Sequence, residues 1–505
     1  MSAGQGALFL TVLGTLSQLL GFFYRVVLSR LVGAEVMGLY QLIMPVYSVL
    51  LSLTAVGITS AVSNLTSQHL ALGNRLGAAQ TRGTGLRGFF LLLLPVGLVV
   101  VLASDAISVR LLGDARTQLG LILLVPCAAF TGVENIHKHL FYGAGLVRPP
   151  AVVELMEQLV RTAAVLGLLI WFLPQYPERV VGLIVAGMVI CEVFSSAALV
   201  LLYRRRMGRF PKTGPGEHAG VRRRRVAAIA LPVGFNSLLG NLMGAVNATL
   251  IPQKLVEGGV ERTEAISQFG VVCGMTLPML ALPTVFLGAL NLVLVPRLAR
   301  AKALERPGEV RRLLSKALSV VSVLALPSMA LMVVLGGDLG QLMFHQPVGE
   351  HLISLAVVMA MSCYCSVLAA GLNGVGYQRA VAAVSLLGGG VQLAFTLALV
   401  PLPGVGMDGY VAGAVASTVL ELGLYLWLAA KNTGLRITLF QWVTAPGLSA
   451  ALSALTANLL LRVLKDSGLE ALPAGISVLI FALVLYLAAL HAQGVRLSEV
   501  LRVRW

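Results

Sequence analysis

Glu154, Glu157, Gln158 and Arg161 form the densest group of reactive side chains within an otherwise apolar stretch. Their spacing puts Glu154, Glu157 and Arg161 on one face of a helix. Glu157 precedes Arg161 by four residues, the favoured order for an ion pair along a helix. Such a face is either a self-neutralised structural pair or the wall of a cavity that binds polar substrate and titrates during transport. Arg25 also lies within an apolar stretch, with Arg30 just beyond it. A guanidinium there either snorkels to headgroups or faces a cavity, where its planar fork of donors suits a phosphate.

A second polar run is Glu134, Asn135, His137, Lys138 and His139. Glu134 can pair with Lys138 one turn on. The two histidines are two apart and do not share a helical face, so they are no metal motif. Glu192 and Glu421 are single carboxylates in apolar surroundings. With Glu134 they are candidates for a coupling proton or sodium ion, or else for hydrogen bonds between helices. Asn236, Ser237, Asn241, Asn247 and Thr249 punctuate a further stretch. Asn241 is a substrate-binding candidate, the other reading being helix–helix hydrogen bonding. Gly240 and Gly244 make a GxxxG that fits close helix packing. The five cysteines all fall in apolar stretches and suggest neither a disulfide framework nor a metal site. No Walker loop, HExxH, GxSxG or DxD-type cluster is present, so no catalytic residue, cofactor or ATP site is expected. Transport would then run on an ion gradient, the membrane potential or substrate supply.

These residues must be positioned by helices in a bilayer. The 505-residue chain is 57% hydrophobic and only 11% charged, against about 25% charged in a soluble domain. Fourteen apolar stretches are expected to cross as helices: 7–29, 38–62, 86–104, 118–142, 150–173, 180–203, 226–250, 267–295, 314–335, 352–375, 380–400, 409–430, 440–461 and 473–493. A span of about 20 apolar residues crosses the hydrocarbon core, and backbone groups in lipid must be satisfied internally. With connections assigned alternately to two sides, 26 of the 37 Lys and Arg fall on one side, eight on the other and three within spans. The positive-inside rule puts the rich side, and both termini, in the cytoplasm. The net charge of +16 therefore reports topology rather than nucleic-acid binding. The first stretch lacks a basic lead and is too long for a cleaved signal peptide.

The run RRRMGRFPKTGPGEHAGVRRRR between spans six and seven reads as a cytoplasmic linker, a topology determinant that can also meet anionic headgroups. It divides the chain into 1–203, the linker 204–225, 226–430, and 431–505 with spans thirteen and fourteen. Ser17–Gly21 is echoed by Asn236–Gly240, and Pro45 by Pro278. Six spans preserve orientation, so the halves would be parallel repeats of six helices. Pro278 and Pro283 share span eight, where bending during alternating access is the functional reading and static shape the plain one.

Gly21-Phe-Phe-Tyr-Arg25, Leu28-Ser-Arg-Leu-Val-Gly-Ala34 and Met37-Gly-Leu-Tyr-Gln41 with Pro45 together resemble the opening of the stage V sporulation protein B family. Glu157-Gln158 with Arg161 is similar to that family's EQ-x-x-R pattern. The family belongs to the superfamily of multidrug extrusion transporters, oligosaccharidyl-lipid flippases and lipid II flippases. The resemblance runs in order from span one to span twelve. It implies an all-α polytopic fold with two six-helix lobes around a central cavity, plus two C-terminal helices. It implies a bacterial plasma membrane and an undecaprenyl-linked sugar precursor moved from the inner to the outer leaflet. Cavity cations would meet the pyrophosphate, and Arg25, Gln41, Glu157, Arg161 and Asn241 are the expected substrate-binding set. Spans two and eight hold no Lys or Arg, unlike the arginines of lipid II flippases. Two other readings stand beside this one. One is a cation-coupled drug antiporter of the same architecture, which would want an acid among aromatics; aromatics are 6% here. The other is a non-transporting membrane scaffold for cell-wall synthases. Membrane lipids are expected partners in every case.

Overall fold

The computed structural model describes residues 3–208, 213–436, 438, 440–467 and 471–494. The expectations that Arg209, Lys212 and the basic C-terminal tail lie in the cytoplasm fall outside the described residues. Among the described residues the regular structure is helical throughout. Thirteen segments are long and apolar enough to cross a membrane. The first, Val12–Ala71, has 60 residues. At 1.5 Å per residue that is about three times the thickness of the hydrocarbon core, so it makes two crossings, which brings the number among the described residues to fourteen.

The two crossings meet inside α1 (Ala3–Leu51), where Gly33 has φ 78° and ψ 177°. Only glycine adopts that backbone readily. The sequence suggested an eight-residue connection at 30–37; the helix instead continues on both sides of a single glycine break. Arg116 fixes this junction, with Glu35 at 2.5 Å and Asp114 at 2.8 Å. A π-type turn at Ser52–Val56 leads into α2 (Gly57–Ala71).

Contacts divide the chain into two units, Met1–Gln253 with Thr263–Gly270, and Lys254–Arg262 with Val271–Trp505. The first unit holds α1, α2, α3 (Arg75–Leu102), α4 (Gln118–Gly143), α5 (Arg148–Phe172), α6 (Val180–Arg206), nearly all of α7 (Ala219–Glu257) and α8 (Arg262–Phe269). α6 packs along both α4 and α5, and α5 also packs on α1. Gly187 permits the close approach of α6 to α5: a Cβ there would stand 2.7 Å from the Val165 Cα. That approach is what brings the polar residues of three helices together.

The second half of the linker is tied to the first unit. The Leu76 amide donates to the Thr213 carbonyl at 3.0 Å and Asn74 donates to the Pro215 carbonyl at 3.1 Å. Arg222 donates to Thr84 and Gln80, and Arg225 to Glu217 and Gln68.

The second unit contains α9 (Leu277–Ala281), α10 (Phe286–Ala303), α11 (Pro307–Phe344), α12 (Leu352–Gly374), α13 (Gln378–Leu399), α14 (Met407–Thr433), α15 (Ala445–Asp466) and α16 (Ala471–Ala492). Its core includes Leu294, Leu298, Leu314, Ala317, Leu368 and Leu372, all nearly inaccessible. α15 and α16 pack on each other and on α11. Ser453 donates to the Ala482 carbonyl at 2.6 Å and Tyr486 to the Val323 carbonyl at 2.9 Å, satisfying polar groups that lipid cannot. Span eight is broken, as its two prolines suggested. A π-type stretch at Gly270–Thr276 is followed by α9, a 3₁₀ turn at Leu282–Thr284 and then α10.

Candidate functional site

Three apolar helices of the first unit each contribute a carboxylate to one buried cluster. Glu157 and Arg161 lie one turn apart on α5 and form an ion pair. Glu192 of α6 reaches the same guanidinium at 3.3 Å, and the Cys191 sulfur accepts from its Nε at 3.4 Å. Glu134 of α4 and Glu192 of α6 are held by a reciprocal pair of hydroxyls. Thr131, on α4, donates to Glu192 at 2.7 Å; Ser195, on α6, donates to Glu134 at 3.0 Å. Tyr47 of α1 lies 2.6 Å from the Thr131 hydroxyl. With Thr131 giving its hydrogen to Glu192, the phenol supplies the hydrogen between the two oxygens.

Lys138 closes one end of the cluster. It lies 3.0 Å from Glu154 and 4.0 Å from Glu134. The helical spacing suggested Glu134 as its partner; the shorter contact goes across to α5. Glu134, Glu157 and Glu192 are all buried. The side chain of Arg161 keeps 26% of its exposure, against 11% for Glu157 and 5% for Glu192. The Arg161 side chain is thus more exposed than the two carboxylates it pairs with.

Arg25 stands on α1, half-buried, with no hydrogen-bond acceptor or carboxylate in reach among the described residues. Tyr24 and Tyr40, also on α1, lie close enough to both Arg25 and Arg161 to feel both charges. The Tyr24 hydroxyl is buried without a partner among the described residues. The Gln158 amide sits over Gly21, whose Cβ would be 3.4 Å from Nε2. Arg25 and Arg161 are both near Tyr24 and Tyr40, and of the two phenols Tyr24 holds a spare hydroxyl among the described residues. A guanidinium pair of this kind is suited to an oxyanion such as a phosphate. Glu157, Cys191 and Glu192 bring their ligand atoms within 4.8 Å of one another. The Arg161 guanidinium already occupies that space, so a proton suits it better than a metal ion.

The remaining candidates stand apart from this cluster. Gln41 follows Tyr40 on α1 and is half-buried. Asn241 of α7 donates to Ser52 at 2.6 Å and to Ser237 at 3.3 Å. Those bonds tie α7 to the π-type turn after α1. A Cβ on Gly240 or Gly244 would meet no atom within 4 Å, so the GxxxG does not serve close packing among the described residues. Glu421 belongs to the second unit, on α14. It lies over Gly388, where a Cβ would be 2.0 Å from its Oε1. The five cysteines are free thiols.

The fold defines a multi-pass membrane protein. The chain belongs to the polysaccharide biosynthesis protein family, whose pattern matches residues 3–302. It is 23% identical over 447 residues to the stage V sporulation protein B of Bacillus subtilis, covering 87% of this chain and 85% of that one. Its fold is similar to that of the lipid II flippase MurJ in an inward closed conformation, with a TM-score of 0.69 at 12% identity over 97% of this chain and all of that one. It is also similar to a multidrug resistance MATE transporter in an inward-facing conformation, with a TM-score of 0.66 at 14% identity over 83% and 94% of the two chains.

Proposed function

We propose that this protein moves an undecaprenyl-linked sugar precursor from the inner to the outer leaflet of a bacterial plasma membrane, by alternating access, with both termini in the cytoplasm. The observation that carries the reading is that Arg25 and Arg161 both lie near Tyr24 and Tyr40 within apolar helices, with Arg25 unpaired and Tyr24 holding a spare hydroxyl among the described residues. Charge at that depth is costly and is retained for function. Two guanidiniums among phenols favour the diphosphate of a lipid-linked sugar over a hydrophobic cation. The family and the similarity to stage V sporulation protein B and MurJ support the same reading. Gln41 and Asn241 belong to the proposed substrate path, Glu134 and Glu192 to its coupling, and Glu421 to a separate coupling candidate in the second unit. Cell-wall synthases are the proposed protein partners.

The test is ligand-dependent stability. Purified protein is melted with a short-chain prenyl diphospho-sugar and, separately, with a lipophilic organic cation. At a hundredfold excess over Kd a ligand stabilises by about 2.7 kcal/mol. The prenyl diphospho-sugar should raise the melting temperature and Arg25→Ala should abolish the rise. Stabilisation by the cation alone would instead favour the antiporter reading.

A further inference from the structure

Arg161 is already committed. Its guanidinium is shared by Glu157, Glu192 and the Cys191 sulfur, so an anion reaching it competes with two carboxylates. The other charged or titratable groups facing the cluster are Glu134 and Lys138 from α4, Glu154 from α5, and Tyr24, Arg25, Tyr40 and Tyr47 from α1. Four carboxylates, Glu134, Glu154, Glu157 and Glu192, stand against Lys138, Arg161 and Arg25. Full ionisation would then leave one negative charge uncompensated beside three buried carboxylates, which is costly unless a further cation or a proton balances it.

We infer that Arg161 is the shared element of a switch linking anion binding to proton uptake: protons entering the carboxylate cluster release the guanidinium from Glu157 and Glu192, and the freed guanidinium takes the diphosphate alongside Arg25. This rests on the diphosphate reading above. The hydroxyls of Thr131 and Ser195 keep bonding the carboxylates in either state, since a carboxylic acid still offers an acceptor. The gain is electrostatic. Protons taken up with the anion lower the net charge that the loaded site carries through the bilayer. When the anion leaves, Arg161 returns to its carboxylates and the protons depart.

Linkage fixes the sign. If binding takes up protons, affinity rises as pH falls, by up to about tenfold per pH unit for each proton. The probe is a soluble short-chain prenyl diphospho-sugar, a diester whose own charge does not change between about pH 5.5 and 7.5. Calorimetry in two buffers of different ionisation enthalpy reads both affinity and proton uptake. Wild-type protein should take up about one proton per ligand, with affinity tightening toward tenfold per unit of acidification. Glu157→Gln with Glu192→Gln should bind without pH dependence and without proton uptake. If that variant fails to fold, Glu192→Gln alone, which keeps an acceptor for Thr131, should still reduce the uptake. A pH-independent wild type, or a variant with the full wild-type slope, would overturn the inference. Absence of binding at every pH would overturn the diphosphate reading itself, and this inference with it.

Discussion

At the scale of single residues, the charges differ in whether they have partners. Arg161 neutralises Glu157 and Glu192. Removing it strands two buried carboxylates, and stranding a buried charge costs about 3 kcal/mol or more. Arg161→Ala should therefore lower the melting temperature more than Arg161→Ala combined with Glu157→Ala and Glu192→Ala. Strictly additive losses would show that these groups do not act together. Arg25 has no such obligation. Arg25→Lys should leave the melting temperature unchanged yet reduce transport about tenfold, because a lysine is a point charge where a forked donor is needed. A silent Arg25→Lys would mean the side chain only snorkels. The Glu157–Arg161 pair was legible because its i,i+4 spacing lies on one helix. The links to Glu192, and from Lys138 to Glu154, were not. They depend on how α4, α5 and α6 pack, and no spacing within one helix encodes that. Tyr24 and Tyr40 carried a faint signal, each lying beside a residue already singled out, but phenols are common in membrane helices.

At the scale of elements, the apolar stretches were readable from length and composition alone. Their junctions were less so. An eight-residue connection was expected between spans one and two; a single glycine makes the turn. Gly33→Ala should cost about 2 kcal/mol, because its φ of 78° with ψ 177° is a backbone that side chains rarely adopt. Gly83 offers the control. It lies inside α3, and a Cβ there meets nothing within 4 Å. Gly83→Ala should be neutral or stabilise by about 0.5–1 kcal/mol. Thermal melts in detergent compare the two, and equal destabilisation would contradict the assigned break. Gly240 and Gly244 mislead in the opposite sense: the motif is present, but packing within the described residues does not use it.

At the scale of the whole molecule, charge asymmetry and the even number of crossings make the topology testable. A cysteine placed at Gly216 should be protected from impermeant reagents in intact cells, while one at Gly258 should react; the reverse pattern would invert the topology. The family was legible from short motifs in α1 and α5, because those motifs sit where the helices meet. The identity of the proposed substrate was not, since no residue of the cluster distinguishes one head group from another. The central claim is that the Arg25–Arg161 site carries a lipid-linked diphosphate across the bilayer. Its most direct test is reconstitution in liposomes with a fluorescent prenyl diphospho-sugar, read by the fraction exposed to an external quencher over time. Wild-type protein should expose the inner-leaflet pool and Arg25→Ala with Arg161→Ala should leave it protected at equal protein level. Equal exposure by both proteins, or none by either, would contradict the claim.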